Sequence, residues 1–275
     1  LHIHTTASDG TQSVEEVVHR SKAQALRCIA VTDHDTVSPE LTQRVTLMSG
    51  VELITGVEVK ARFGEIDGEL LGYFVDPSHP RLHRLLQPLC VSRDERMRQM
   101  VDLCREFLGI DITEAEVRAV AGEGNVGRPH LARVLVDRGV VETMQQAFAE
   151  LIGRGCPCYA PIVKPHLDEA VAALKAAGGV VSVAHPCLMR VKDWSAFLDQ
   201  LLTAGVQALE TVYLYDPASR DLTLDPRALA AEAERRGFLV TGGSDDHGPG
   251  STRESLGSVH LPYRHVEALQ RAAGL

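Results

Sequence analysis

The stretch Cys28-Ile29-Ala30-Val31-Thr32-Asp33-His34-Asp35 decides how this 275-residue chain is read. A short run of branched and small apolar residues has the composition of a strand buried on both faces, and it stops at three ionisable residues. The same arrangement recurs four more times along the chain. Leu53 to Val57 runs into Glu58, Leu70 to Val75 into Asp76-Pro77, and Val180 to Ala184 into His185-Pro186. Phe238 to Thr241 passes through Gly242-Gly243 into Ser244-Asp245-Asp246-His247. Each run is bounded by turn formers and reads as a buried parallel strand.

Helical patterns lie between several of these runs. Val14 to Ala25 follows Ser13, with Glu16 three positions on, the spacing of a capping box. Leu167 to Ala177, Ser195 to Ala204 and Pro226 to Arg236 each end at glycine, a C-cap signal. Strand–helix alternation implies a parallel sheet. Polar residues at the ends of many strands favour a (β/α) barrel, since an open doubly wound sheet gathers its ligands at one switch point. From Ser78 to Pro165 the rhythm stops. Leu82 to Leu108, Glu114 to Val120, Pro129 to Asp137 and Thr143 to Ile152 are helical patterns with no strand among them. The expected organisation is α/β: a barrel from residues 1–77 and 166–275, with residues 78–165 as a helical insert capping its active-site side.

Composition narrows the function. A formal charge of −9 argues against a basic groove that tracks duplex DNA. A small anionic substrate is still allowed, because local charge can oppose net charge. No apolar run approaches the roughly 18–20 residues that span a bilayer, and no signal-peptide pattern opens the chain. The six cysteines are spaced unlike a disulfide scaffold, so free thiols in a reducing cytoplasm are expected. The chain opens on Leu1 rather than Met, so residues are expected to precede it.

The ionisable residues point to metal. In His2-Ile3-His4 the two imidazoles share one side of an extended segment and suit a single ion. Alone, that pattern is more often an ordinary strand, Ser8-Asp9-Gly10 a turn, and Asp35 a helix N-cap. Glu58 at a buried strand end needs a cation or partner to offset its desolvation. Together with His34, His185, Asp245 and His247 these residues converge on one end of a barrel. Mixed imidazole and carboxylate donors suit Mn, Fe or Zn rather than Mg or Ca.

In this combination the chain resembles the PHP (polymerase and histidinol phosphatase) family of metallophosphoesterases. The resemblance is carried by Leu1-His2-Ile3-His4, Ser8-Asp9-Gly10, Thr32-Asp33-His34-Asp35, Gly56-Val57-Glu58, Ala184-His185-Pro186 and Gly243-Ser244-Asp245-Asp246-His247. It implies a distorted (β/α)7 barrel with two or three divalent ions. The first would take His2, His4, Glu58 and Asp245; the second Glu58, His185 and one more ligand; the third Asp9, His34 and His247. In relatives the missing ligand is usually a His, and the aligned position here is Glu69. Glu69 either ligates the second ion, the reading favoured because two other ligands of that site are kept, or lies at the surface. Gly127-Arg128-Pro129-His130 resembles the helix start of PHP enzymes that remove phosphate from nucleotides, so Arg128 and His130 are implied to hold phosphate.

The expected reaction is hydrolysis of a phosphate monoester by a hydroxide bridging the metals. Asp33, Asp35 and Asp246, beside the ligands, would orient imidazoles or protonate the leaving group. The expected substrate is a nucleoside 3′,5′-bisphosphate or a 5′-phosphorylated short oligonucleotide, single-stranded RNA included. Three other readings stay open: a histidinol-phosphate or cyclic-phosphate hydrolase of the same superfamily, a non-catalytic metal-binding scaffold, and an amidohydrolase. The last typically uses a carbamylated strand-end Lys, for which the chain offers no candidate.

Overall fold

The longest strand organises the sheet. In the computed structural model, which describes residues 1–215 and 222–275, β3 (Val51–Phe63) pairs in parallel with β1 (Cys28–Val31) and antiparallel with β2 (Val45–Met48) and β4 (Ile66–Tyr73). The sheet continues antiparallel from β4 to β5 (Val180–Val183), then in parallel to β6 (Ala208–Tyr213) and β7 (Leu239–Gly243). The N-terminal segment closes the circle between β7 and β1. Leu1 donates from its ammonium to the Gly242 carbonyl at 2.9 Å, and the His4 N–H donates to the Asp246 carbonyl at 2.9 Å. On the other side the Ile3 carbonyl accepts the Thr32 N–H at 2.8 Å. Six strands and this segment make a distorted seven-stave (β/α) barrel, with β2 as a short flanking addition.

β4 runs against the parallel direction expected of it. Only Gly64 and Glu65 separate β3 from β4, with Phe63 opposite Ile66 and Gly64 at φ +64°. A parallel partner needs a crossover of about a dozen residues, so a two-residue turn forces a hairpin. The C-terminal end of β4 therefore points away from the other strand ends. Asp76 lies at that far end, where its N–H donates to the Ala177 carbonyl at 2.8 Å and its carboxylate accepts the Ser78 N–H at 2.9 Å. Glu58 and Glu69 sit inside β3 and β4 rather than at strand ends.

Helices pack outside the barrel where the periodicity placed them, within a residue or two. They are α1 (Val14–Ala23), α6 (Leu167–Ala176), α7 (Trp194–Ala204) and α8 (Pro226–Arg236). The Ser13–Glu16 capping box forms, a device worth about 1 kcal/mol. Leu174, Leu198 and Leu229 from three of these helices pack on Val57, Leu70, Val181 and Leu209 of the sheet. Each such leucine contributes roughly 1.5–3 kcal/mol on burial. Between β4 and β5 come α2 (Pro80–Leu108), α3 (Glu114–Ala121), α4 (Arg128–Asp137), α5 (Met144–Ala147) and one π-helical turn, Phe148–Ile152. They bury a cluster of their own that includes Met100, Leu131, Leu135, Ile152 and Cys158. The strands β2 and β6 and the last helix, α9 (Arg264–Ala272), had no counterpart in the sequence reading. All six cysteines are free. Among the described residues no helix is long and apolar enough to cross a membrane.

Candidate metal centre

The nine ligand-type residues gather at one end of the barrel. His2 Nε2 lies 3.3 Å from Glu58 Oε1 and 3.5 Å from Asp245 Oδ1, and His4 Nε2 is 3.0 Å from the same Asp245 oxygen. His185 Nε2 is 3.4 Å from Glu58 Oε1 and 3.3 Å from Glu69 Oε2. Asp9 sits 3.7 Å from His34 Nε2 and 3.4 Å from His247 Nε2. His34 also turns its Nδ1 to Glu58 at 2.7 Å. Three sets of donor atoms fall within 4.8 Å of one another: His2, His4 and Glu58; His34, Glu58 and Glu69; and His4, Asp9, His34 and His247.

Local backbone explains the convergence. Asp35, His185 and Asp245 leave their strands in the left-handed region, at φ +53°, +30° and +54°. That conformation costs an L-residue about 1–2 kcal/mol, least for Asp, and here it turns the chain sharply at three strand ends. Glu210, fully buried in β6, supports two histidines, one through its ring and one through its backbone: it lies 3.1 Å from His2 Nδ1 and accepts the His185 backbone N–H at 2.8 Å. Engaging Nδ1 leaves His2 Nε2 facing Glu58 and Asp245. Glu210 was not foreseen in the sequence. Its signal was an isolated carboxylate in the apolar run Ala208–Tyr213.

The centre is electrostatically unusual. His2 Nε2, both His4 ring nitrogens, His34 Nδ1, both Glu58 oxygens and Asp245 Oδ1 are buried and crowd one another at ion-pair distances without forming a well-oriented hydrogen bond. Burial disfavours charge on His2, but Glu210 and Glu58 outweigh it and hold the imidazole up at about 10. His185 is raised to about 9, burial being outweighed by Glu58 and Glu69. Burial, with His247 and His34 close by, pushes His4 well below the ordinary value. Asp9 and Glu58 are held low, burial being outweighed by His34 together with His247 for Asp9 and with His2 for Glu58.

Above this cluster opens a cavity of about 640 Å³, lined by Asp9, His34, Glu58, Glu69, His185, Asp245 and His247, and by Arg128 and His130 from the start of α4. The His130 Nδ1 accepts the Gly127 N–H at 3.0 Å, and burial lowers its pKa. A neutral ring so engaged carries its proton on Nε2. The Arg128 guanidinium stands 5.2 Å from the Phe148 ring centre and has no carboxylate partner among the described residues. Lys60, Arg93, Arg96, Arg133 and Arg253 also reach the cavity and were not anticipated. Six Lys or Arg side chains thus face it against four carboxylates, so the pocket is locally cationic in an acidic protein.

The three aspartates expected to act beside the ligands do not line the cavity. Asp33 accepts the Thr5 N–H and hydroxyl and the Ser8 hydroxyl at 2.6–2.8 Å. Asp35 takes the Lys60 N–H at 3.0 Å and the Arg93 Nε at 2.8 Å. Asp246 accepts from Arg20 and from the Ser255 and Leu256 N–H groups. All three brace the loops that carry ligand-type residues.

Comparison with known proteins agrees with this geometry. The PHP domain profile matches residues 1–151. A 3′,5′-nucleoside bisphosphate phosphatase of Chromobacterium violaceum is 31% identical over 282 residues, covering 98% of this chain and 96% of that protein. A 5′-3′ exoribonuclease of Haemophilus influenzae is 35% identical over 187 residues, 68% of each chain. The solved structure of a proposed metal-dependent phosphoesterase from Bifidobacterium adolescentis superimposes with a TM-score of 0.84 at 30% identity, over 98% of this chain and 94% of that one. With matching motifs, barrel and site end, the chain belongs to the PHP domain family and is a metal-dependent phosphoesterase.

Proposed function

We propose that this chain removes phosphate from a small nucleotide, a nucleoside 3′,5′-bisphosphate or a 5′-phosphorylated short single-stranded RNA. It does so at a centre of two or three divalent Mn, Fe or Zn ions. The observation that carries this reading is the match between orphaned atoms and donor chemistry. Among the described residues twelve buried side-chain nitrogens and oxygens lack a hydrogen-bond partner, and seven of them, on His2, His4, His34, Glu58 and Asp245, are ligand-type atoms gathered in this one cluster. A buried polar atom without a partner costs about 1–3 kcal/mol, and cations between these atoms would offset that cost.

His2, His4, Glu58 and Asp245 would hold one ion; Glu58, Glu69 and His185 a second; Asp9, His34 and His247 a third. When bound, the ions would supply Lewis-acid charge that polarises the phosphoryl group and acidifies the attacking water. The protein's own groups do the rest. Arg128 and Arg96 present guanidinium groups with no carboxylate partner among the described residues, and a phosphate dianion is their natural partner. His130 donates from Nε2 to a phosphate oxygen. Residues 78–165 cap the site and limit entry. A pocket of about 640 Å³ holds a nucleotide or the end of a single strand but not a duplex. The cytoplasm, where six thiols stay reduced, is the compartment that fits.

The relatives named for bisphosphate nucleosides and RNA support the substrate class. Hydrolysis should be assayed with manganese on adenosine 3′,5′-bisphosphate, a 5′-phosphorylated dinucleotide, histidinol phosphate and a ribose cyclic phosphate, read as inorganic phosphate from the monoesters, as mononucleotide or phosphate from the dinucleotide and as ring-opened product from the cyclic phosphate. Hydrolysis of either of the first two is expected. Hydrolysis of histidinol phosphate or the cyclic phosphate alone would overturn the nucleotide reading, and no hydrolysis at all would overturn the catalytic one.

A further inference from the structure

Two cations hold the outer oxygens of two carboxylates in the centre. Lys60 and Glu69 stand directly opposite each other on the β3–β4 hairpin. The Lys60 ammonium pairs with Glu69 Oε1, which stands 3.9 Å from His34 Nδ1, while Glu69 Oε2 faces His185 Nε2 more closely, at 3.3 Å. Both side chains are mostly buried, 20% and 17% exposed, so this is no solvated surface pair. On the other side of the centre Asp245 repeats the arrangement. Its Oδ1 is 3.0 Å from His4 Nε2, while Oδ2 accepts the Tyr213 hydroxyl at 3.0 Å and pairs with Arg253. Glu58 differs, since both its oxygens face imidazoles and neither meets a Lys or Arg.

We infer that Lys60 and Arg253 are positioning residues that limit Glu69 and Asp245 to one inward donor oxygen each, leaving Glu58 as the carboxylate with two oxygens free to bridge. A carboxylate with its outer oxygen capped cannot bind an ion through both oxygens. The capping charge also lowers the negative potential at the ion. Both effects make Glu69 a weaker ligand than an uncapped glutamate, so the ion it helps hold is the most easily lost. This role presupposes the metal centre proposed above.

The test is metal retention rather than turnover. Manganese-loaded protein is equilibrated against graded EDTA, and manganese per chain is measured by mass spectrometry. With a repelling positive charge removed from beside the ion, Lys60→Met is expected to keep its most labile ion to about tenfold higher chelator than the parent. Lys60→Arg should behave as the parent. In a Glu69→Gln background, Lys60→Met should change nothing. Retention in Lys60→Met equal to or below the parent's, or an equal shift without Glu69, overturns the role. Should Lys60→Met fail to fold, Arg253→Met carries the same expectation through Asp245. A parent protein that binds no manganese overturns the centre itself, whereas bound manganese indifferent to both cations overturns only this inference.

Discussion

Glu210 shows how much of the site rests on a residue that contacts no substrate. Its carboxylate meets His2 Nδ1 at 3.1 Å and holds the His185 N–H at 2.8 Å, tying a residue of the closing segment to one at the end of β5. Glu210→Gln keeps the shape but removes the charge that favours an Nδ1-protonated His2. Manganese affinity is expected to fall about 10- to 100-fold with the melting temperature little changed; unchanged affinity in an equilibrium titration would count against the coupling. At the other end of the cavity, Arg128 and Arg96 repel each other. Burial, with Arg128 adding to it, lowers Arg96 to about 10, and burial lowers Arg128. A dianion between them relieves that repulsion. Arg128→Ala is expected to raise KM for adenosine 3′,5′-bisphosphate about 10- to 100-fold, the loss of a charged hydrogen-bond pair, with a smaller change in kcat. An equal loss with a substrate bearing a single phosphate would place Arg128 on the reacting phosphoryl group instead.

Among the elements, the closing segment is the one most exposed to disruption. It lies so close to β7 that a Cβ on Gly243 would meet His2 Cβ at 2.4 Å and His2 N at 2.5 Å. Gly243→Ala must therefore push His2 outward. A loss of about 1–3 kcal/mol in urea denaturation is expected, together with a drop in bound manganese; full metal content with normal stability would show that the contact yields easily. Elements also differ in how far their sequence reveals them. The strand ends at Thr32 and Ala184 were legible because apolar runs there break off at His and Asp. β4 was legible as a strand but not in its direction, which is set by the two-residue turn at Gly64-Glu65 and not by its own composition. That turn brings Glu69 in from the middle of a strand, against Lys60, and sends Asp76 to the far end. β6 was hidden for the opposite reason: Glu210 interrupts its apolar run, and only the fold reveals the histidines that the carboxylate serves. Arg93 and Arg96 sit in α2, where the helical pattern fixes the element but not which of its arginines turn to the barrel.

Across the whole molecule, the centre joins elements from both ends of the chain, and its most loosely tied part is the closing segment. Its residues come from the closing segment, β3, β4 and the ends of β1, β5 and β7, and the segment itself is held by a few backbone hydrogen bonds. Helices α3, α4 and α5 with the second half of α2 depend on the centre far less, because they bury a hydrophobic cluster of their own. Ions bound only by the folded state stabilise it by mass action, about 2.7 kcal/mol at a hundredfold excess over Kd. That energy acts where the ligands are. Manganese should therefore raise the melting temperature in a concentration-dependent way. In hydrogen exchange it should protect residues 1–12, the middle of β3 and the ends of β5 and β7 strongly, while α3 and α4 change little. Uniform protection of the whole chain would mean that barrel and helices open as one cooperative unit. Protection confined to α3 and α4 would mean that manganese binds somewhere other than the residues gathered here.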